Sequence, residues 1–298
     1  MISIKTKKTN KKWAAKLDGL CRSWYKFSRN KLSVFGLIIV LTVIFIALFA
    51  DKIAPFPEHA GAFVDLGNAG RPPGEGYLFG TDQYGRDILS RIFFSFRGAI
   101  IMGIGVLAVA VPVGVFLGLI AGYFQGSLIE PLIMRTVDIF LALPPLVLAL
   151  AVSAVLRPTL FNSMMAVSFA WWAWYTRLSY GMASSIRNEF YIQSAELIGA
   201  SRLHILLREI LPNCLGPIFT KMTLDMGWVI LIGASLSFVG MGEQPPKPAL
   251  GTMVADGAKY IPHMWWLAVF PALAIMIIVL GFNLLGDGIR DMLSTEEV

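Results

Sequence analysis

The chain has 298 residues, of which 56% are hydrophobic and only 15% charged, and its mean hydropathy is +0.67. Soluble domains carry about a quarter charged residues, so this composition excludes an ordinary water-soluble protein and indicates a membrane protein. The net charge of +6 needs no nucleic-acid partner, because uneven placement of lysine and arginine across a bilayer accounts for it.

In chain order, a basic tail at 1–31 comes first, with ten lysines and arginines against Asp18. Its length and the missing small-x-small site after the following apolar run argue for an anchor rather than a cleaved signal. Six uncharged runs follow: Leu32–Ala50, Ala99–Ala121, Ile139–Leu156, Pro158–Thr176, Met226–Gly242 and Met264–Gly286. Each is close to the length at which a helix crosses about 30 Å of hydrocarbon. No stretch alternates polar and apolar residues as barrel strands do. The expectation is therefore an all-α polytopic membrane protein with six transmembrane helices. Basic residues resist translocation, which places both termini in the cytoplasm and puts 17 of the 25 lysines and arginines inside. Cys21 and Cys214 then lie on the reducing side, where a disulfide is not expected. His59, His204 and His263 are too dispersed to suggest a metal site.

The outer segment 51–96 ends in "FGTDQYGRDILSRIFFSFRG". This stretch predicts a surface helix capped by Thr81 or Asp82, with Asp87 and Arg91 paired four apart. The remaining chain, 97–288, holds five closely spaced crossings, and 289–298 is a cytoplasmic end. Gly114, Gly118 and Gly122 make a small face suited to close helix packing within the subunit. Pro144-Pro145 and Pro271 are expected to interrupt helices. Arg135 with Asp138 and Lys221 with Asp225 are spaced to neutralise each other on one helix face, and "WWAWYTR" at 171–177 suits an interfacial anchor.

One polar segment stands out among these runs. "EFYIQSAELIGASRLHILLREILPN", Glu189 to Asn213, falls in the cytoplasmic loop 187–213. Tyr191, Ala195, Leu197 and Ile198 form one apolar stripe; Leu203, Leu206, Leu207 and Ile210 form a second after Gly199-Ala200-Ser201, and Pro212 closes it. Two short helices hinged at a glycine, with apolar faces but no transmembrane length, suit a groove on another protein.

Within it, Gln193 to Pro212 resembles the cytoplasmic signature of ABC importer membrane subunits, E-A-A-x-x-x-G followed nine residues later by I-x-L-P. Ala195, Gly199, Leu211 and Pro212 match; Gln193 and Ser194 stand for the leading Glu-Ala, and Glu209 for the isoleucine, with Ile210 beside it. "FGTDQYGRDILSR", "ASLSFVGMGEQPPKPALGTM" and "WWLAVFPALAIMIIVLGFNLLGDGIRD" are similar to the second membrane subunit of the dipeptide, oligopeptide and nickel importers, a likeness running from about Leu32 to Asp291. It implies a type I ABC importer permease fold, in a bacterial or archaeal cytoplasmic membrane. It further implies a heterodimer with a homologous second permease, two cytoplasmic ATPase subunits, and an extracytoplasmic solute-binding protein. Residues implied to face the ATPase are Tyr191, Gln193, Ser194, Ala195, Glu196, Gly199, Ala200, Leu203, Leu211 and Pro212. Glu243 and Lys247, in the outer loop Gly242–Met264, are implied to meet the binding protein.

No G-x-x-x-x-G-K-[ST] occurs in the sequence, so no catalytic residue or bound cofactor is expected in this chain, and ATP and magnesium belong to the partner subunits. An ion-driven transporter would require unpaired mid-membrane acids or related halves, and a membrane enzyme a nucleophile–base or metal constellation; neither is visible. The resemblance implies peptides as the leading substrate class, with nickel, a nickel chelate or glutathione as alternatives.

Overall fold

The computed structural model describes residues 24–74 and 76–293; residues 1–23, most of the basic tail with Cys21, and the last five residues lie outside them. Residues 24–29 are helical, and Asn30 then caps helix α1, Lys31–Ile53, by accepting from the Leu32 N–H. After two 3-10 turns, Pro57–Ala60 and Leu66–Asn68, come α2 (Ile88–Tyr123), α3 (Ile129–Leu141), α4 (Pro145–Ser153), α5 (Leu160–Ile186) and α6 (Phe190–Leu197). The chain continues through α7 (Arg202–Phe238), α8 (Leu250–Ala258) and α9 (Trp266–Leu293). Among the described residues there is no strand, only isolated bridges at Gly74–Tyr77 and Thr81–Asp87.

Four helices, α1, α2, α7 and α9, are long and apolar enough to span a membrane. α3 and α4 make a fifth candidate, bent by 88° at Pro144-Pro145, where the missing N–H and ring sterics end α3. The remaining expected run, Pro158–Thr176, falls in α5, which is not among these candidates. At 27 residues it reaches about 40 Å, but its tryptophans, tyrosines and serines lower its mean hydropathy. The expected break at Pro271 does not occur: Pro271 lies inside the continuous α9.

The interior holds two apolar clusters that share α2 and α7. One joins α2, α5 and α7 around Val106, Leu119, Tyr175, Ile192 and Ile210; the other joins α1, α2, α7, α8 and α9 around Val43, Ile92, Ile230 and Ile278. The α2–α5 contact is the most extensive, and the glycine face explains it. A Cβ at Gly114, Gly118 or Gly122 would lie 2.4–2.6 Å from the nearest atoms of α5, among them the Trp172 and Thr176 carbonyl oxygens and Ala183 Cβ. Three glycines one turn apart thus bring the two backbones together, as packing inside this chain.

The helix expected on the membrane surface is instead the first turns of α2, which runs unbroken for 36 residues. Its cap is Asp87, whose Oδ2 accepts from Ser90 N–H at 2.7 Å and Ser90 Oγ at 2.6 Å. Asp87 is thereby engaged, and Arg91 pairs with Asp82 rather than with Asp87. Thr81 stitches the outer segment, accepting from Arg71 N–H and donating to the Asn68 carbonyl.

Candidate functional site: the polar loop and the outer rim

α6 is short and held to the bundle by one face. Ile192 is fully buried, with Ala195 partly buried against the same core, whereas Phe190, Leu197 and Ile198 are each more than 80% exposed. The predicted first stripe is therefore out of phase: Leu197 and Ile198 point away from the protein, and Ile192 is the anchor. Its end is a Schellman motif. The Ala200 N–H bonds the Ala195 carbonyl and the Gly199 N–H the Glu196 carbonyl, both at 3.0 Å. Gly199 lies at φ +84°, the left-handed conformation that this motif assigns to glycine. Ala195 and Ala200, the residues that meet across it, are both small.

Ser201 then caps α7 by accepting from the His204 N–H at 3.3 Å. The second short helix predicted to end at Pro212 does not end there; it is the head of α7, which passes through Pro212 and Pro217 to Phe238. The physical device is a π-helical stretch at Ile205–Ile210, where Leu211 N–H reaches back five residues to the Leu206 carbonyl. That wider turn precedes the position where proline removes one helix hydrogen bond. Ile205, Leu206 and Ile210 are buried, while Leu203 stays exposed beside Leu197 and Ile198 in sequence.

Side chains tie this loop to the spans. Tyr123, at the end of α2, donates its hydroxyl to Glu196 Oε1 at 2.8 Å. The guanidinium of Arg187 lies over the Tyr123 ring and that of Arg202 over Phe124. Tyr191 Oη accepts from Asn213 Nδ2 at 3.3 Å; Gln193 donates to the Asn188 carbonyl and Ser194 to that of Phe190. Leu211 is partly buried and Pro212 exposed. The expected loop residues thus form one contiguous segment with a buried side and an open apolar ridge. Sequence reasoning passed over two of its members: Phe190, an exposed aromatic beside Tyr191, and Tyr123, which no local pattern connects to a residue 73 positions away.

The two charge pairs form, with added partners. Lys221 Nζ lies 3.1 Å from the Asp225 carboxylate, which also accepts from Trp171 Nε1 at 2.9 Å. Trp171 is thus a buried partner rather than an interfacial anchor. Asp138 meets both Arg135 and Arg177. On the other rim, Glu243 and Lys247 pair with each other at 3.3 Å, Lys247 being the more exposed.

An all-helical chain with several apolar spans, and with a polar loop folded back against the ends of its helices, is a multi-pass membrane protein. Residues 114–296 match the family described as binding-protein-dependent transport system inner membrane component, and 21–73 match the N-terminal TM domain of oligopeptide transport permease C. The chain belongs to the former family. It is 42% identical over 279 residues to a dipeptide transport system permease protein of Escherichia coli K12, covering 92% of each chain. Identity is 39% with a di/tripeptide transport system permease protein of Pseudomonas aeruginosa, covering 92% of this chain and 91% of that one. It is 36% with a probable D,D-dipeptide transport system permease protein of E. coli K12, covering 99% and 98%.

Proposed function

We propose that the chain is one of two homologous, non-identical permease subunits of an ATP-driven importer of short peptides, located in a bacterial or archaeal cytoplasmic membrane. The observation that carries the peptide class is the near full-length likeness, at 36–42% identity, to permeases of dipeptide and tripeptide systems. The proposed topology has six crossings, α5 and the bent α3–α4 pair included, with both termini inside.

Coupling runs through the polar loop. α6 presents Phe190, Leu197 and Ile198 to an ATPase subunit, while Ile192 and the Tyr123–Glu196 bond hold it to α2 and the core. A helix anchored in this way transmits movement of the ATPase pair to the spans, which alternate between inward- and outward-facing states; the solute-binding protein delivers peptide from outside. This chain itself supplies no hydrolytic residue; ATP and magnesium are bound by its partners.

The test is Gly199→Trp, with a cysteine pair joining position 197, on the exposed face of α6, to the ATPase, in the complete importer. A side chain at 199 meets nothing within 4 Å in this chain. The variant therefore inserts, at a local backbone cost of about 1 kcal/mol. Peptide uptake is expected to be lost, residual hydrolysis no longer responds to the loaded binding protein, and position 197 crosslinks when Gly199 is kept. Normal stimulated hydrolysis with no crosslink would show the segment to be a connector only.

A further inference from the structure

A cavity of about 360 Å³ opens on the rim opposite the polar loop, between the segment before α2 and the loop joining α7 to α8. Its walls are apolar, made by Phe63, Val64, Pro245, Pro246 and Met253, and its charged lining includes Arg86 and Arg91, which are 8% and 5% exposed. Two buried guanidiniums here share one carboxylate. Asp82 Oδ2 accepts from Arg86 Nε at 2.7 Å and lies 3.7 Å from Arg91 Nε. Its Oδ1 already accepts from the backbone N–H groups of Tyr84 and Arg86.

Two further acids sit near this pair and each has a lysine partner; one of them, Asp256, lines the cavity itself and bears electrostatically on Arg91. Asp256 pairs with Lys259 at 3.0 Å and Glu243 with Lys247 at 3.3 Å. Arg91 directs Nη1 to the His59 carbonyl at 3.1 Å. Among the described residues, the terminal nitrogens of Arg86 make no hydrogen bond; its guanidinium lies 4.7 Å from the centre of the Tyr84 ring, another wall of the cavity. A nearly buried guanidinium with spare donors, beside a second one and among apolar walls, is chemistry for a carboxylate, because low local polarity strengthens a charge-assisted bond.

We propose that this cavity is a carboxylate socket, which takes an aspartate or glutamate side chain of the solute-binding protein when that protein docks. This rests on the importer reading above. A docking group rather than cargo is indicated by the partition below it. A second, smaller cavity of about 50 Å³ lies among α2, α5, α7 and α8, and Ala249 lines both. Pro245, Pro246 and Lys247 line the socket and Pro248 the smaller cavity, so the loop stands between the two and a group in the socket rests on the loop. All of the socket's lining comes from the loops, the start of α2 and α8.

The experiment uses the complete importer in lipid nanodiscs, with hydrolysis measured against the concentration of its peptide-loaded binding protein. Arg86→Gln is expected to raise the half-saturating concentration about tenfold or more, with the maximal rate kept within about twofold. Val64, 57% exposed and on the same wall, supplies a variant that spares the fold: Val64→Asp places a competing carboxylate in the socket and raises half-saturation likewise, while Val64→Asn does not. Unchanged half-saturation in Arg86→Gln and Val64→Asp overturns the proposal, as does an equal rise in Val64→Asn. Loss of uptake of a free-acid dipeptide but not of its C-terminal amide, at unchanged half-saturation, overturns it in favour of cargo recognition. A parent importer that no loaded binding protein stimulates would sink the importer reading itself.

Discussion

His59 stacks between the rings of Phe56 and Phe63, at 4.9 and 4.1 Å, and is 3% exposed. Its Nδ1 accepts from the Asp87 N–H at 2.9 Å, which requires the neutral ring. Burial pushes its pKa below the ordinary 6.5, against the opposing pull of Glu58, Asp87, Asp82 and Asp65; Arg91, bonded to its carbonyl, is the cation facing it. A depressed folded value means that the stabilisation is fully present above about 6.5 and is lost as pH falls below it toward the folded value. Hydrogen exchange across 56–68, corrected for intrinsic rates, is expected to show less protection at pH 5.5 than at 7.5, and no such loss in His59→Gln. Asp225 makes a different prediction. It is 5% exposed, held by Lys221 and Trp171, so Asp225→Leu leaves a lysine without its counter-charge. Because the Lys221 side chain is 26% exposed it reaches solvent in part, and the expected cost is about 1–3 kcal/mol, below that for a fully buried pair. Lys221→Met in the same chain should recover part of the lost melting temperature; a further drop would show that the pair is not the cause.

Among the elements, α2 and α5 depend on the glycine face. Gly118→Ala would set a methyl 2.4 Å from the Thr176 carbonyl oxygen and 2.9 Å from the Tyr180 N–H nitrogen, both backbone atoms that cannot swing aside. Overpacking of this kind costs about 1–3 kcal/mol. The unfolding temperature in detergent should therefore drop for Gly118→Ala and hold or rise for Gly216→Ala, a helical position where a Cβ meets nothing. That face was legible because spacing of four on a helix is a local property. α6 was legible only in part: Gly199 and the polar interruption marked it, but its stripe came out of phase, since eight residues are too few for apolar spacing to define which side is buried. Pro212 was misread as a stop for a related reason. Proline removes one hydrogen bond, and whether the helix survives is decided by the turn before it and by the packing of Ile205, Leu206 and Ile210.

Across the whole molecule, the proposed six-crossing arrangement places Gln125 and Ala200 on one side of the membrane and Gly70 and Pro245 on the other. Single cysteines at 125 and 200 should react with an impermeant thiol reagent only in inverted vesicles, and those at 70 and 245 only in intact cells. Labelling of position 200 from outside would overturn the orientation, and with it the coupling role of α6.

Composition and the long apolar runs determined by themselves that this is a helical membrane protein, and roughly where its long helices lie, because the cost of burying charge in hydrocarbon is paid residue by residue along the chain. The pairs Arg135–Asp138 and Lys221–Asp225 were open to the same reading, being contacts within one helix turn, whereas Asp87–Arg91, at the same spacing, was not. Only the tertiary structure decided that Asp82 rather than Asp87 meets Arg91, that Trp171 completes the Asp225 pair, and that Tyr123 fastens Glu196. The walls of the outer socket likewise come from segments more than 150 residues apart. Such contacts are set by how helices cross and loops close over them, and no periodicity within a single segment carries that information.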